Sequence, residues 1–535
     1  MTTSSEYDGI IIGAGHNGLI AQAYLARAGL KVISLDLAEE AGGGLSTLEA
    51  PDRPGFLYNT HSFFHRGIPD MPWFKEFELE KHGVSYLDVE PYVSILHRDG
   101  NVLQWRADFE ETYRSFARLD KDDADRLRWW RDRFIPITRD ILRPEAASVP
   151  LSHDRRRAML ESTEDGRCLL EVSALSPYEF VTREFRNPAI QAGLLFINGM
   201  REVDLRAKGF GHHLPSLFAS AARVQTCKGG AAMLARALVR AVQAEGGEVR
   251  TRARVKRILV EDGRAVGVEL DGGEKILARR FVASGLNPQL TFLELLEPAH
   301  LPEAWRRKAE DFRYNVLGPL FSLFLNLKEQ PIYRASDRFP EVQKSLMVIM
   351  GIDHIDGFLE LVRKHDEGQV GPMVLWGGTP TAVDPSQAPP GYHTAFMWEK
   401  TPYSLDGDPE NWVARQDEHG KRMFDFWCGY APNLRHATID RFVQSPRDIP
   451  LKNPNMREAD VLMGTLSFGQ VGIDRPFPGA GGYRTILDGL YLCGSASHPG
   501  GNITGLPGYN AAQVILADQR QSNTAPSLNV GGSAS

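Results

Sequence analysis

The sequence predicts an α/β fold in which a discontinuous Rossmann-like domain carries an inserted domain of mixed β-sheet and helices. Three observations predict it. The 535 residues exceed the roughly 250–300 that a single hydrophobic core serves. A strand, a glycine turn, a helix and a second strand follow one another over 8–35, and a strand, a glycine loop and a helix recur at 488–518. Between them, 300–480 mixes strands and turns and is rich in Pro, Gly, Trp and Phe, which is typical of a separate lobe.

The first unit has the pattern of one βαβ unit. Residues 8–12 form a short apolar run, typical of a buried parallel strand. Residues 18–28 carry helix formers, and Gly29 stands where a helix C-cap belongs. Residues 31–36 form a second buried strand, so the chain predicts two parallel strands joined by a helix.

The turn after the first strand reads Gly13-Ala14-Gly15-His16-Asn17-Gly18. Gly13 permits a tight turn, Gly15 lets the backbone approach a pyrophosphate, and Gly18 lets helix and strand pack closely. The phosphates would lie at the helix N-terminus, where free N–H groups and the helix dipole favour anions. Asp36 ends the next strand and suits a ribose hydroxyl, while it would repel a 2′-phosphate. The pattern predicts a dinucleotide site at Gly13, Ala14, Gly15, Asn17, Gly18 and Asp36.

A glycine triplet indicates which dinucleotide binds. Gly42-Gly43-Gly44 begins six residues after Asp36, and an acid followed at this spacing by a glycine pair is expected when the dinucleotide is FAD. The rest of the sequence has no second GxGxxG between a strand and a helix, which argues against a separate nicotinamide site. The sequence therefore predicts FAD as the cofactor, held also by Gly42, Gly43 and Gly44.

The middle of the chain is less specific. Residues 106–143 read as amphipathic helices whose mixed charges indicate a solvated face. Residues 231–244 read as a helix, followed by short β-rich runs between 248 and 284. The aromatic residues of 373–430 suit an aromatic-lined pocket or an ordinary core, and the core interpretation is favoured.

The C-terminal block closes the predicted site. An apolar strand ending at Cys493 is followed by glycines that would let the backbone lie against a planar ring, at positions 494, 500, 501, 505 and 508. Pro507 suits the first turn of a helix. That helix would point its N-terminus at the flavin pyrimidine, which favours the negative charge of reduced flavin and raises its reduction potential. Cys493 itself is interpreted as buried packing.

Three blocks, the N-terminal unit, 228–288 and 482–513, together resemble the phytoene desaturase-like branch of the FAD-dependent amine oxidase superfamily. That branch includes carotenoid desaturases, carotenoid isomerases and phytoene dehydrogenase-related oxidoreductases. The resemblance implies that the backbone of Val255 lies against the adenine and that the loop beginning near Ser284 returns to the FAD domain. It implies further flavin contacts at Gly494, Gly501, Asn502, Thr504 and Gly505. One departure is Gly44, where the family usually has an arginine, so a flavin-facing or substrate-facing cation is removed.

The three blocks define the expected domains. We expect a discontinuous FAD-binding domain and a substrate-binding and helical lobe, followed by a disordered tail. The FAD-binding domain takes 1–70, 220–300 and 480–520, the lobe takes 71–219 and 301–479, and the tail takes 521–535.

Composition excludes several other classes of protein. A net charge of −7 gives no basic face for a nucleic acid. The four cysteines share no C-x-x-C spacing, so we expect no metal site, no disulfide framework and a reducing compartment. No secretory signal and no run of about 18 apolar residues is visible, which predicts a cytoplasmic protein without a transmembrane segment.

An FAD enzyme without a nicotinamide site takes a hydride from its substrate onto flavin N5 and passes the electrons elsewhere. The leading hypothesis is a dehydrogenase or oxidase that desaturates a C–C bond in a small to medium, moderately apolar organic substrate, with oxygen or a quinone as acceptor. A mean hydropathy of −0.29 and the absence of a membrane-dipping patch favour such a substrate over a long polyene. The alternatives are amine or alcohol oxidation, a redox-neutral carotenoid-type isomerase, and a non-catalytic flavin-binding protein.

Several histidines and one tyrosine are candidates for the proton acceptor. The predicted catalytic residues are His212, His213 and His498, the first two because they are adjacent and the third because it would lie near the isoalloxazine. Tyr58, His61 and His65 are further candidates for the base. No spacing in the sequence singles out one of them.

Overall fold

The structure is a computed structural model, and it describes residues 5–199, 203–467 and 469–524. The strands of this part of the chain are β1 (Ser5–Ile12), β2 (Val32–Leu35), β3 (Thr47–Ala50), β4 (Arg53–Asn59), β5 (His65–Arg66), β6 (Tyr86–Asp88), β7 (Val93–Leu96), β8 (Val102–Trp105), β9 (Val224–Cys227), β10 (Glu248–Arg250), β11 (Val255–Glu261), β12 (Arg264–Leu270), β13 (Lys275–Ser284), β14 (Leu320–Leu327), β15 (Met347–Met350), β16 (Leu375–Gly378), β17 (His393–Lys400), β18 (Thr438–Gln444) and β19 (Leu490–Leu492).

The α-helices of the same residues are α1 (His16–Arg27), α2 (Pro72–Glu76), α3 (Phe109–Ala117), α4 (Lys121–Ile137), α5 (Arg143–Ala146), α6 (His153–Glu161), α7 (Glu164–Ser173), α8 (Pro177–Glu184), α9 (Pro188–Gly199), α10 (His213–Ala219), α11 (Ala232–Ala244), α12 (Glu303–Glu310), α13 (Ile355–Asp366), α14 (Asn411–Tyr430), α15 (Leu434–Ala437), α16 (Asp448–Lys452) and α17 (Leu506–Thr524).

The first sheet is the Rossmann-like sheet. Its strands run β10-β2-β1-β13-β12-β11, and β19 also pairs with β13. The pairs β10/β2, β2/β1, β1/β13 and β13/β19 are parallel, whereas β11, β12 and the first part of β13 form an antiparallel meander. All seven strands come from 5–35, 248–284 and 490–492, within the three segments expected to form the FAD-binding domain. The predicted fold class is confirmed.

Close backbone packing fixes the position of the helices on this sheet. A Cβ atom on Gly18 of α1 would lie 2.4 Å from the carbonyl oxygen of Gly13, as the glycine pattern predicts. A Cβ atom on Gly508 of α17 would lie 2.0 Å from the carbonyl oxygen of Asn17. The first and last helices therefore touch backbone to backbone, and their N-termini lie at the same edge of the sheet.

The second sheet belongs to the inserted lobe. Its order is β18-β14-β17-β16-β15-β7-β8, and all its pairs are antiparallel except the parallel pair β7/β15. The helices α3 to α10 form the helical part of this lobe. In α3 and α4 the apolar positions Phe116, Leu127 and Phe134 are buried, and most of the charged side chains face outward, as predicted for 106–143.

The C-terminal boundary differs from the expected one. Helix α17 continues to Thr524, so 521–524 are helical and do not belong to a tail. The predicted disorder of 525–535 lies outside the described residues.

Candidate active site

The first cavity, of about 760 Å³, opens at the carboxyl ends of the parallel strands. In an open α/β sheet this edge is where a ligand binds. Nine of the predicted cofactor-binding residues line it, namely Gly13, Gly15, Asn17, Gly18, Asp36, Gly43, Gly44, Val255 and Gly494. The N-terminal, middle and C-terminal blocks of the sequence thus share one wall.

The turn before α1 is shaped for a pyrophosphate. Gly13 has φ +92°, a conformation that L side chains rarely adopt. A Cβ atom on Gly15 would meet no heavy atom of the described residues within 4 Å, so the backbone there faces open space. No side chain caps the N-terminus of α1, which leaves its N–H groups available to an anion.

Asp36 is held in place beside this turn. Its Oδ2 accepts a hydrogen bond from the backbone N–H of Ala14 at 2.7 Å, and its Oδ1 accepts one from that of Ala38 at 2.9 Å. Ala14 therefore orients the carboxylate instead of lining the cavity. The carbonyl of Ala14 in turn accepts from the N–H of Gly42 at 2.9 Å, so the glycine triplet is tied to the glycine turn.

Five more predicted residues support the site or extend it. The Ser284 hydroxyl is fully buried and bonds with that of Thr291 at 2.7 Å, so it does not line either cavity. Gly501 and Gly505 also lie outside both linings. A Cβ atom on Gly501 would meet a backbone oxygen at 2.3 Å, and one on Gly505 would meet the ring of a buried tryptophan, so both glycines permit close packing. Asn502 and Thr504 line a second cavity.

The second cavity, of about 630 Å³, adjoins the first. Five residues line both cavities, and we call this set the junction: His16, Gly44, His61, Met463 and Ser495. The other walls of the second cavity are mainly aromatic and aliphatic, formed by Phe63, Phe64, Met71, Tyr92, Val93, Trp105, Ile197, Leu217, Val224, Leu320, Leu346, Met347, Trp376, Trp398, Met456, Val461, Leu462 and Ile503. Of the aromatic residues in 373–430, two tryptophans line this cavity, whereas Trp412, Phe424 and Trp427 pack in a separate core.

The charged side chains of the second cavity are exposed at its edge or are held by a hydrogen bond within the protein. Asp70 and Lys75 form an ion pair at 3.3 Å, and both are more than half exposed. Arg143 is also exposed. Arg66 donates to the carbonyl of Leu217 at 2.6 Å, and its guanidinium lies over the ring of Trp105 at 5.1 Å.

The three predicted catalytic histidines, His212, His213 and His498, lie outside the linings of both cavities. The Nδ1 atom of His212 bonds with the Ser173 hydroxyl at 2.9 Å, and its ring packs against that of His213. His498 donates from Nε2 to the carbonyl of Glu145 at 2.9 Å, and burial lowers its pKa to about 4.

Two of the other candidates for the base, Tyr58 and His65, are held by hydrogen bonds. Tyr58 is buried away from both cavities, where its hydroxyl donates to the Leu325 carbonyl at 2.7 Å. His65 lines the second cavity, but its Nδ1 bonds with the Tyr86 hydroxyl at 2.6 Å and its Nε2 with that of Ser62 at 3.0 Å. Burial lowers the pKa of His65 to about 3.

His61 and His16 belong to the junction. His61 is half-buried, and no hydrogen bond of its ring is recorded with any residue that the structure describes. Burial, and secondarily the charge of Lys452, lowers its pKa to about 4. The pKa of His16 is also lowered to about 4 by burial, but its ring bonds with the backbone of Asn502. At neutral pH both rings are uncharged.

Several residues of the site were missed in the sequence. Ser495 follows Gly494 directly, and its hydroxyl accepts from Asn17 Nδ2 at 3.0 Å, joining the first and last blocks. Arg475 is fully buried, and its guanidinium donates to backbone carbonyls that include Ser495 O at 3.2 Å. The stretch 452–455 lines the first cavity, although nothing in its sequence resembles a motif.

The sequence model of one family, described as flavin-containing amine oxidoreductase, matches residues 18–516. The chain belongs to this family. It is an FAD-dependent dehydrogenase or oxidase, and we expect the first cavity of this amine oxidoreductase to hold FAD. The cavity fits the cofactor because a free helix N-terminus, an oriented carboxylate and a glycine-lined wall lie along it.

Individual relatives of this amine oxidoreductase agree with the phytoene desaturase-like branch. A limonene dehydrogenase polypeptide of Castellaniella defragrans is 30% identical over 537 residues, covering 97% of this chain and 96% of the relative. The lycopene-forming phytoene desaturase of Pseudescherichia vulneris is 24% identical, covering 93% and 96%. A putrescine oxidase structure with bound putrescine superimposes with a TM-score of 0.61 at 15% identity, covering 97% and 100%, which shows the shared fold.

None of the helices in the described residues of this amine oxidoreductase is both long and apolar enough to cross a membrane. Among the same residues, no group of three or more His, Cys, Asp or Glu could hold a metal ion. Cys493 is fully buried, and burial raises the pKa of its thiol to about 12.

Proposed function

We propose that this enzyme desaturates a C–C bond in a small to medium, mainly apolar molecule. The observation that carries the proposal is the lining of the second cavity, whose inner walls are aromatic and aliphatic and which meets the cofactor cavity at the junction. Its volume of about 630 Å³ lies in the range usual for small-molecule sites. The limonene dehydrogenase relative supports a cyclic hydrocarbon as the class of substrate.

The charges of the second cavity favour this reaction over amine oxidation. A protonated amine held in an apolar cavity needs a carboxylate or a comparable partner, because an isolated buried charge is costly. Among the described lining residues the carboxylate is Asp70, which is exposed and already paired with Lys75. A hydrocarbon makes no such demand.

The FAD supplies hydride acceptance at N5. Removing a hydride from one carbon and a proton from its neighbour leaves a C=C bond, so the protein must provide a proton acceptor. We assign this role to His61, whose ring faces both cavities without a recorded hydrogen bond. A weak base suffices, because loss of hydride makes the neighbouring C–H strongly acidic, and a pKa of about 4 keeps the imidazole ready at neutral pH.

The test compares two ring compounds of similar size. FAD-loaded protein is mixed anaerobically with limonene or with cyclohexylamine, and the flavin absorbance is followed. We expect limonene, or another cyclic alkene of its size, to bleach the flavin and yield a product two hydrogen atoms lighter. Bleaching by the amine with no response to any cyclic alkene would refute the proposal. Isomerisation of the alkene without bleaching would favour the redox-neutral alternative.

The same experiment addresses the electron acceptor, which stays a prediction. The bleached enzyme is divided and exposed either to air or, still anaerobically, to a soluble quinone. Rapid return of colour in air indicates an oxidase, whereas return with the quinone alone indicates a dehydrogenase.

A further inference from the structure

The charges along the cofactor cavity are balanced except at one lysine. Each acidic side chain along it has a partner. Asp36 accepts hydrogen bonds from two backbone N–H groups. Each of the other four pairs with an arginine: Glu39 with Arg252, Glu40 with Arg236, Asp271 with Arg254, and Glu294 with Arg457. Of its cations, Arg254 pairs with Asp271 at 3.6 Å, and Lys256 pairs with Glu269 at 3.6 Å. Lys452 has no ion pair or hydrogen bond recorded with the residues that the structure describes.

The position of Lys452 is set by the segment that carries it. Lys452 is the last residue of α16, and 453–455 continue along the cofactor cavity. Asn455 anchors this stretch to the FAD-binding domain, since its Oδ1 accepts from the backbone N–H of Asn287 at 2.6 Å and its carbonyl accepts from Asn287 Nδ2 at 3.0 Å. The inserted lobe therefore contributes a fixed wall to the cofactor site.

Two observations place this wall at the junction. A Cβ atom on Gly44 would lie 3.1 Å from Met456 Cε, so the segment covers this glycine of the junction. The same segment reaches both cavities, since Lys452 lines the first and Met456 lines the second, and the charge of Lys452 helps to lower the pKa of His61. The lysine is thus near the place where the cofactor cavity meets the apolar one.

We propose that Lys452 supplies a positive charge beside the flavin ring and so stabilises the negative charge of the reduced flavin. Lys452 is exposed, so solvent weakens the effect of its charge, but a cation close to an anion still favours the charged form. The proposal depends on FAD binding and is independent of the substrate and of the desaturation proposed above.

The test uses sulfite, which adds to flavin N5 and leaves the ring with the negative charge of reduced flavin. FAD-loaded wild type, K452M and K452R are titrated with sulfite, and the reduction potential of the flavin is measured against redox dyes. We expect K452M to raise the sulfite Kd about tenfold and to lower the potential, while K452R stays within about twofold of wild type. No substrate is required.

The matched control is K256M, which removes the other lysine of the same cavity. Lys256 pairs with Glu269 beside Val255, the residue expected against the adenine, so K256M should leave both the sulfite Kd and the potential near wild type. Equal sulfite affinity in wild type, K452M and K256M would overturn the proposal. A weaker FAD affinity in K452M with unchanged sulfite affinity would also overturn it, since the lysine would then face the pyrophosphate.

Discussion

His61 and His65 lie four residues apart in the loop and strand after β4, yet their surroundings give them different roles. Both nitrogens of His65 are bonded to hydroxyl groups, which fixes the ring as part of the wall. His61 has no such bond recorded among the described residues and faces both cavities. The hydrogen-bond partners, more than position in the sequence, distinguish a structural histidine from a candidate base.

Replacing His61 tests this distinction. H61Q keeps a polar side chain of similar size but removes the proton acceptor, so we expect flavin reduction by substrate to slow by about 10²- to 10⁴-fold with FAD still bound. The measurement is anaerobic stopped-flow absorbance. The control is H212Q, at a histidine outside both cavities, which should change the rate by less than about threefold. A rate in H61Q equal to that in H212Q would contradict the assignment.

The pH profile provides a second test at the same residue. Because burial and Lys452 lower the pKa of His61 to about 4, the ring is neutral above about pH 5 and protonated below about pH 4. The rate of flavin reduction should be level through neutral pH and fall only in acid. In K452M the pKa of His61 should rise, which moves the acid limb to higher pH. A wild-type rate that halves near pH 6.5 would contradict an acceptor in this environment.

The position of an individual residue could be predicted where it depends on residues nearby in the sequence. Gly13, Gly18 and Asp36 act through the turn and helix that they belong to, so their spacing predicts their positions. Lys452 and His61 line the same cavity although they lie almost 400 positions apart in the sequence, and no local pattern predicts that they come together. The same reason explains why His212 and His213 do not line either cavity although they are adjacent, since adjacency in sequence says nothing about distance from a cavity.

At the scale of elements, the contact between α1 and α17 sets where the C-terminal block meets the cofactor site. G508A would place a methyl group 2.0 Å from the carbonyl oxygen of Asn17, which is backbone and cannot move aside cheaply. We expect α17 to shift, with FAD affinity reduced at least about tenfold and the melting temperature lowered. FAD affinity is measured from flavin fluorescence on dilution, and the melting temperature from flavin fluorescence on heating.

The control for this prediction is a helical glycine with free space around it. Gly357 of α13 is exposed, and a Cβ atom there would meet none of the described heavy atoms within 4 Å. G357A should therefore leave FAD affinity unchanged and stabilise the protein by up to about 1 kcal/mol, the difference in helix propensity. If G508A behaved like G357A, the backbone contact between α1 and α17 would not determine FAD affinity or the melting temperature.

The elements of the FAD-binding domain were predictable because each carries its own signal. Buried strands show as short apolar runs, and the glycine motifs mark the turns between strand and helix. The second sheet was not predictable beyond its presence. Its parallel pair joins β7 to β15, about 250 residues apart, and a strand sequence does not name its partner.

At the scale of the whole molecule, buried histidines make stability depend on pH. Burial lowers the pKa of His16, His61, His365 and His498 to about 4 and that of His65 to about 3, against an ordinary value of 6.5. Below pH 6.5 the unfolded chain takes up protons at these sites and the folded chain does not. The contribution of these histidines to the free energy of unfolding should therefore be greatest above about pH 6.5 and decrease as the pH falls toward about 4.

Urea unfolding at about pH 7, 6 and 5 measures this decrease. The variant H365Q removes one buried histidine outside the cavities and should make the decrease shallower. H436Q, at a histidine whose side chain is 74% exposed, is the matched control and should follow wild type. A free energy of unfolding that is constant between pH 7 and 5 would contradict the claim that burial keeps these rings uncharged in the folded protein.

The central strand pairing of the Rossmann-like sheet also determines when a newly made chain can take up its flavin. Strand β1 needs β13, about 270 residues later, and the sheet is completed by β19 and α17 near the end of the described residues. Such distant pairing must overcome a large loss of chain entropy and is slow. During synthesis the ribosome has therefore made nearly the whole polypeptide before a cofactor site exists, and the inserted lobe has the opportunity to fold first and to bring the two ends of the nucleotide-binding domain together.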